Sequence, residues 1–366
     1  MIPANKQVKL LLTCRFGGRN ENDAKPFSVN EYAYFAVWLR QQNFKPGDLL
    51  DTGEIERALN KWNDPTTHKQ AQQAIKLHGL KKTVENITSE RIEKLLARGL
   101  SLSLALEQWN AAGVWILDRE EQEYPPQFKK HLKHQSPAIV FGVGNKQLLR
   151  TKAVGFVGSR NVEPTDIKAT ETYVAQITEL GYQVISGGAQ GVDETAMLAA
   201  LASENSAVGV LSGDLLKFSS AGKWRTHLRA GNLALLSINE PEARFTPAAA
   251  MVRNKYIYLL SEACIVVRSD EKGGTWSGAT ENLKRGWVPL LISTHNSPNY
   301  RGNSKLLEGL KGQGIQAQRV NFENLSDLLS KNIANASQPA RPLNMAEEEP
   351  SANSDTEQLG FGFDEG

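Results

Sequence analysis

The chain has 366 residues, 40% of them hydrophobic, enough to bury a large core shared between about two domains. No apolar run approaches the ~20 residues of a membrane span, and two cysteines, Cys14 and Cys264, with six scattered histidines exclude a disulfide framework and a metal cluster, as suits a reducing cytoplasm. The net charge of +2 hides an asymmetry: residues 337–366 carry seven acidic side chains against one arginine, leaving +8 on the rest, a layout that fits a polyanion or nucleic-acid binder and also a soluble body with a solvated tail.

At the N-terminus, Val8–Leu12 reads as a short strand-like run. From Val29 to about Ala112 the apolar residues recur with helical spacing. Glu31–Gln42 carries Tyr34, Val37 and Trp38 on one side; Glu54–Trp62, Thr67–His78, Ser89–Ala97 and Leu102–Ala112 follow, separated by Pro, Gly or Thr-Ser breaks. Ser89 stands at an N-cap position. These short helices predict a small N-terminal helical domain over residues 1–112. Val114–Leu117 and Ala138–Phe141 read as strands that lead into a main domain over 113–336. Strand-like runs recur at 153–157, 182–185, 207–211, 233–238, 264–268 and 288–292, with helical stretches between them and last helices over 302–312 and 322–334. Such alternation predicts an α/β fold, a doubly wound, mostly parallel, Rossmann-like sheet whose post-strand loops share one rim. Beyond Ser337 the Pro, Ala, Asn, Ser and Glu content cannot bury a core, which predicts a disordered acidic tail over 337–366.

Three strand-to-helix turns carry glycine. Gly158-Ser159-Arg160 follows the run at 153–157, Ser186-Gly187-Gly188-Ala189-Gln190-Gly191-Val192-Asp193 follows that at 182–185, and Gly273-Gly274-Thr275 opens a helix through Arg285. Glycine lets the backbone approach an anion closely, and the N–H groups of a helix start then face it. The first two turns are neither Walker loops nor the dinucleotide fingerprint. Arg160 brings a planar fork suited to phosphate, and Ser159 and Ser186 bring hydroxyl donors. Asp193 reads as the N-cap of the helix through Leu201. In the helix near Pro247–Ser261, capped by Thr246, residues Met251, Val252 and Leu259 share a face; Arg253 and Asn254 lie off that stripe and Lys255 within it. Tyr256 and Tyr258 offer either stacking faces for bases or buried packing. No nucleophile elbow or acid–base pair of recognisable spacing stands out, which predicts no catalytic residues, no cofactor and no metal.

Over roughly residues 90–320 these motifs resemble the DprA/Smf family. Gly158-Ser159-Arg160 and Ser186 to Asp193 match its G-S-R turn and its S-G-G-A-x-G-[IV]-D segment. Asn239-Glu240 fits its S-E-x-P segment loosely, Arg253-Asn254-Lys255 its R-N-R helix start, and Trp276–Thr280 and Gly302-Asn303-x-x-Leu306 its later elements. Ala112-Gly113-Val114 through Gly144-Asn145 is similar to the family's junction into its Rossmann-like domain. Three positions depart from the pattern: Met197 replaces a His, His295-Asn296 replaces Pro-Gly, and the acidic tail stands where a winged helix is common.

The resemblance implies a non-catalytic, cytoplasmic single-stranded DNA binder that acts in DNA recombination and natural transformation. It implies a homodimer through the Rossmann-like domain and a RecA-type recombinase loaded onto the strand. It also implies a DNA-phosphate site of Gly158, Ser159, Arg160, Ser186, Gly187, Gly188, Gln190, Gly191, Arg253, Asn254, Lys255, Gly274 and Thr275, with Arg160, Arg253 and Lys255 on consecutive phosphates. Relatives in mobile elements and antiviral defence leave open an antitoxin-like role in which a cognate toxin or effector is the partner. A third reading is an enzyme similar to the cytokinin-activating phosphoribohydrolases, of which Gly273-Gly274-Thr275 with Glu281 is a distant echo. The tail, ending in Leu359, Phe361 and Phe363 among acids, is expected to compete for the basic groove, to dock a partner, or only to solubilise.

Overall fold

In the computed structural model, which describes residues 2–16, 24–77, 79–295, 300–311 and 314–336, one nine-stranded sheet runs through the chain. Its strands are β1 (Trp115–Asp118), β2 (Ile139–Gly144), β3 (Ala153–Val157), β4 (Gln183–Ser186), β5 (Ala207–Leu211), β6 (Leu233–Ser237), β7 (Ala263–Val266), β8 (Leu290–Ser293) and β9 (Ala317–Val320). They lie in the order β1-β2-β6-β5-β4-β3-β7-β8-β9. From β6 to β9 in that order every pairing is parallel, whereas β1 and β2 add an antiparallel edge. This is the doubly wound, mostly parallel α/β sheet that the alternation predicts. The tail over 337–366 lies outside the described residues.

The apolar runs become strands because helices cover both faces, so adjacent residues are buried on opposite sides. Val154 and Phe156 of β3 join one core, while Ala153 and Val157 join the other. The first core continues from the sheet into the N-terminal helices, where Trp109 meets Phe141 edge to face at 5.2 Å and Trp38 meets Trp62 at 4.8 Å. The second holds the helices Pro247–Leu259, Gly274–Arg285 and Arg301–Glu308. From β3 the chain steps outward through β4, β5 and β6, then returns to place β7 on the other side of β3. The winding direction therefore reverses between β3 and β7, the place where open α/β sheets form a crevice at their carboxyl edge.

Several elements differ from expectation. Val8–Leu12 is not a strand but part of the helix Ala4–Thr13, with Val8 and Leu10–Leu12 fully buried. The run of three leucines masks the helical spacing of Asn5, Lys9 and Thr13, and the helix is enclosed on most of its sides. Even its lysines are inside: Lys6 pairs with Glu121, and Lys9 lies 3.3 Å from Asp118 and 2.9 Å from Glu120. The stretch Thr67–His78 divides into a 3-10 turn, Pro65–His68, and a short helix, Lys69–Ala74; His78 lies outside the described residues. Thr88 rather than Ser89 caps the helix Ser89–Leu96, its hydroxyl accepting from the Arg91 N–H. The edge strand β9 carries only Ala-Gln-Arg-Val and has no apolar run to announce it. Among the described residues no helix is long and apolar enough to cross a membrane.

Replacing Lys9 by alanine leaves the buried Asp118 without a cationic partner from this helix, and stability in chemical denaturation should fall by about 3 kcal/mol. A loss below about 1 kcal/mol, the scale of a surface pair, would show that the pair does not anchor the helix to β1.

Candidate functional site

Because β4, β3 and β7 are neighbours and parallel, the three glycine-bearing turns that follow them meet on one rim. The contacts are direct. The N–H of Val192 donates to Ser159 O at 3.3 Å, the hydroxyl of Thr275 to Gly158 O at 2.9 Å, and the side-chain amide of Asn254 to Gly274 O at 2.9 Å. The helices Val192–Ala202 and Gly274–Arg285 open on Gly191 (φ 92°) and Gly273 (φ 94°), and neither has a side-chain cap. Their remaining first-turn N–H groups and positive dipole ends suit an external anion. A Cβ on Gly191 would stand 2.4 Å from Ser159 O and 2.8 Å from the Arg160 Cα, so only glycine lets these turns touch. Arg160 is exposed on this rim, its guanidinium 5.4 Å from the ring centroid of Phe245. Gln190 is exposed beside the second turn.

Beneath the rim lies a buried acid–base arrangement. Asp193 accepts the Gly187 N–H at 3.1 Å on Oδ2, and the Gly158 backbone also donates to its carboxylate. On the other side of Gly187, Arg253 donates through Nη1 to Gly187 O and to Val210 O. A Cβ at Gly187 would overlap both Arg253 Nη1 and Asp193 Oδ2, which explains the glycine without appeal to backbone angle. Burial pushes the Asp193 carboxyl up to about 6, against the pull of Arg253 and the two backbone donors. The same burial lowers the Arg253 guanidinium, opposed by Asp193.

Several expected site residues take other roles. Arg253 is 4% exposed and faces the sheet, not the solvent rim. Lys255 follows it by two residues, about 200° around the helix, so the two cannot grip consecutive phosphates on one face. Instead Lys255 lies over the Tyr256 ring at 5.0 Å with Glu281 and Arg285 as its charged neighbours, and burial lowers its ammonium. The apolar stripe read from Met251 and Val252 is also corrected: both are about half exposed, and the buried face is Arg253, Tyr256, Ile257, Tyr258 and Leu259. Both tyrosines are fully buried and offer no face to a base.

Ser186 spends its hydroxyl proton on Phe156 O at 2.6 Å, and Thr275 spends its own on Gly158 O, so neither donates to phosphate through its side chain. Ser159 accepts the Asn161 N–H at 3.1 Å and keeps its own proton available. The N-cap ahead of Asp193 is Gly191, and Asp193 sits in the first turn.

Two of the departures noted in the sequence are structural. Met197 is fully buried against Gly209. His295 donates through Nε2 to Asp166 at 2.9 Å, while its Nδ1 lies 2.7 Å from the Ser293 hydroxyl. Tyr300 and Arg268 complete the shell around Asp166, and although burial opposes it, these bonds with the Glu163 N–H hold that carboxyl below its ordinary range. Sequence reasoning missed Phe245 as a rim residue. Its signal was position: an exposed aromatic just before the capped helix start Thr246-Pro247, hence on the same edge as the turns.

A family model described as DNA recombination-mediator protein A matches residues 115–322. The DNA processing protein DprA of Bacillus subtilis is 24% identical over 229 residues, 62% of this chain and 76% of its own length. DNA processing protein A from Helicobacter pylori, solved for its single-stranded DNA binding mode, is 26% identical with a TM-score of 0.50, covering 60% of this chain and 96% of that one. DprA from Streptococcus pneumoniae shares the fold at 18% identity and a TM-score of 0.57, over 82% of this chain and 98% of that one.

The raised Asp193 carboxyl has a sign that can be checked. Between its ordinary value of 3.8 and about 6 the folded state holds the proton that the unfolded chain releases. Its stabilising contribution is therefore present at low pH and lost as pH rises through about 6. Relative to an Asp193→Asn variant, the wild type should lose on the order of 2–3 kcal/mol between pH 4 and pH 7, read from denaturant midpoints. A difference that stays constant over that interval would refute the assignment.

Proposed function

The chain belongs to the family of DNA recombination-mediator protein A, and from that premise we propose that it binds single-stranded DNA without catalysis along the rim where the turns after β4, β3 and β7 meet. The observation that carries the reading is the pair of helix starts without side-chain caps, Gly191 and Gly273, flanking the exposed Arg160. Backbone donors and one open arginine suit phosphate and carry no sequence information, as a general strand binder requires. The Helicobacter pylori relative supplies the ligand class, single-stranded DNA. Within this reading the bound strand is handed to a RecA-type recombinase, and the protein works as a homodimer. Glu281, the carboxylate that a phosphoribohydrolase-like reaction would need, is a charged neighbour of Lys255, which favours the non-catalytic reading.

Arg160→Ala should weaken binding to mixed-sequence oligonucleotides and reduce the slope of log affinity against log salt by roughly 0.7. Lys255→Ala, if its circular dichroism is native, should leave the slope unchanged, since that ammonium faces Glu281. Native Arg160→Ala protein with wild-type affinity and slope would remove the strand from this rim. In a separate assay, purified protein should release no product from nucleoside monophosphates; turnover abolished by Glu281→Gln would restore the enzyme reading.

A further inference from the structure

The donors that a deeply seated phosphate oxygen would need are already taken. The N–H groups of Gly158 and Gly187 point at the Asp193 carboxylate, and the Arg253 guanidinium lies just across Gly187. We infer that Asp193 is an internal competitor, a carboxylate filling the deep anion niche of the rim, which limits affinity for phosphate and whose neutralisation strengthens binding. The inference rests on the proposed strand-binding rim and adds to it a charge control.

The charge count follows from the geometry. Asp193 interacts with both Arg253 and Arg160, and the two arginines repel one another. With the carboxylate ionised the three groups sum to one positive charge, and with it neutral they sum to two. The groups facing Asp193 from the packed elements are Arg253 and Tyr258 on the helix Pro247–Leu259, Arg160 on the turn after β3, and Cys264 on β7. Burial pushes Tyr258 and Cys264 well above their ordinary values, and arginine stays charged throughout. On its own helix the next acid, Glu194, is paired with Lys223 at 2.8 Å. Among these groups Asp193 is therefore the one whose charge changes between pH 5 and 7. Removing one negative charge this close to a bound phosphate is worth roughly a factor of ten in affinity. By reciprocity, a bound phosphate raises the proton affinity of Asp193 by the same factor.

The test compares wild type with Asp193→Asn at constant ionic strength from pH 5.5 to 8, using a fluorescent mixed-sequence oligonucleotide. Wild type should bind about tenfold tighter at the acid end, and Asp193→Asn should hold the tight affinity at pH 8 with a much flatter profile. Folded Asp193→Asn protein that binds as wild type does at every pH, or more weakly at pH 8, overturns the inference. In case the variant does not fold, the carboxyl carbon of Asp193 is followed by NMR titration in the wild type, with and without pyrophosphate. Its midpoint should move up by about one pH unit when pyrophosphate is present, and an unmoved midpoint overturns the inference. If wild type binds no oligonucleotide at any pH yet pyrophosphate moves the midpoint, the strand-binding proposal falls and the niche competitor stands.

Discussion

The buried carboxylate of Asp193, with Arg253 across from it, is the interaction on which the rim depends. Asp193 belongs to a helix packed in the first core and Arg253 to a helix packed in the second, so the pair reaches over the carboxyl edge of the sheet from its two faces. Through Arg253 the ends of β4 and β5 are tied at Gly187 O and Val210 O, and through Asp193 the turns after β3 and β4 are tied at Gly158 and Gly187. Burying two charges is costly, and the backbone bonds offset that cost only while every group keeps its place. The same requirement excludes any side chain at Gly187. A rim meant to face an anion is thus held from below by an anion of its own.

The strands were legible because parallel strands covered on both faces read as unbroken apolar runs, as Ala153–Val157 and Ala207–Leu211 do. The turns were legible because close approach of three backbones demands glycine, and Gly191 and Gly187 announce it. What stayed hidden depends on direction. Sequence spacing cannot say which side of the helix Pro247–Leu259 meets the sheet, and exposed Met251 and Val252 imitated a core stripe while Arg253 turned inward. Nor can it say where a hydroxyl spends its proton: Ser186 and Thr275 sit in the turns yet donate to carbonyls of the β3 strand and its turn.

His295, one of the departures from the family pattern, stands behind the rim rather than on it. Its ring links Ser293 at the end of β8 to Asp166, which receives the Glu163 N–H at the start of the helix Pro164–Glu179. Tyr300 and Arg268 close the same shell, and Arg268 O in turn receives the Ser159 N–H. The histidine therefore buttresses the outer flank of the first turn, one layer behind the residues that would touch a ligand. Substitutions in such a layer alter the rigidity of the support while the exposed surface keeps its chemistry.

The helix Ala4–Thr13 also bears on how the protein is made. Its apolar residues are enclosed and its lysines are matched by Asp118, Glu120 and Glu121, more than a hundred residues further along the chain. At a translation rate of about 5–20 residues per second, those partners emerge roughly 6–20 s after the helix itself has left the ribosome. Its apolar neighbours come sooner: Leu12 O receives the Phe27 N–H and Asn5 accepts the Gly47 N–H, so the helix can pack against the N-terminal segments while its lysines are still unmatched. The edge formed by β1 and β2 waits for a comparable stretch, because β2 pairs with β6, which is synthesised some ninety residues later. The first helix thus finds its apolar neighbours early and its charged ones late, and the sheet closes around β3 only once its partner β7 is made, after the β6 that completes the β2 edge.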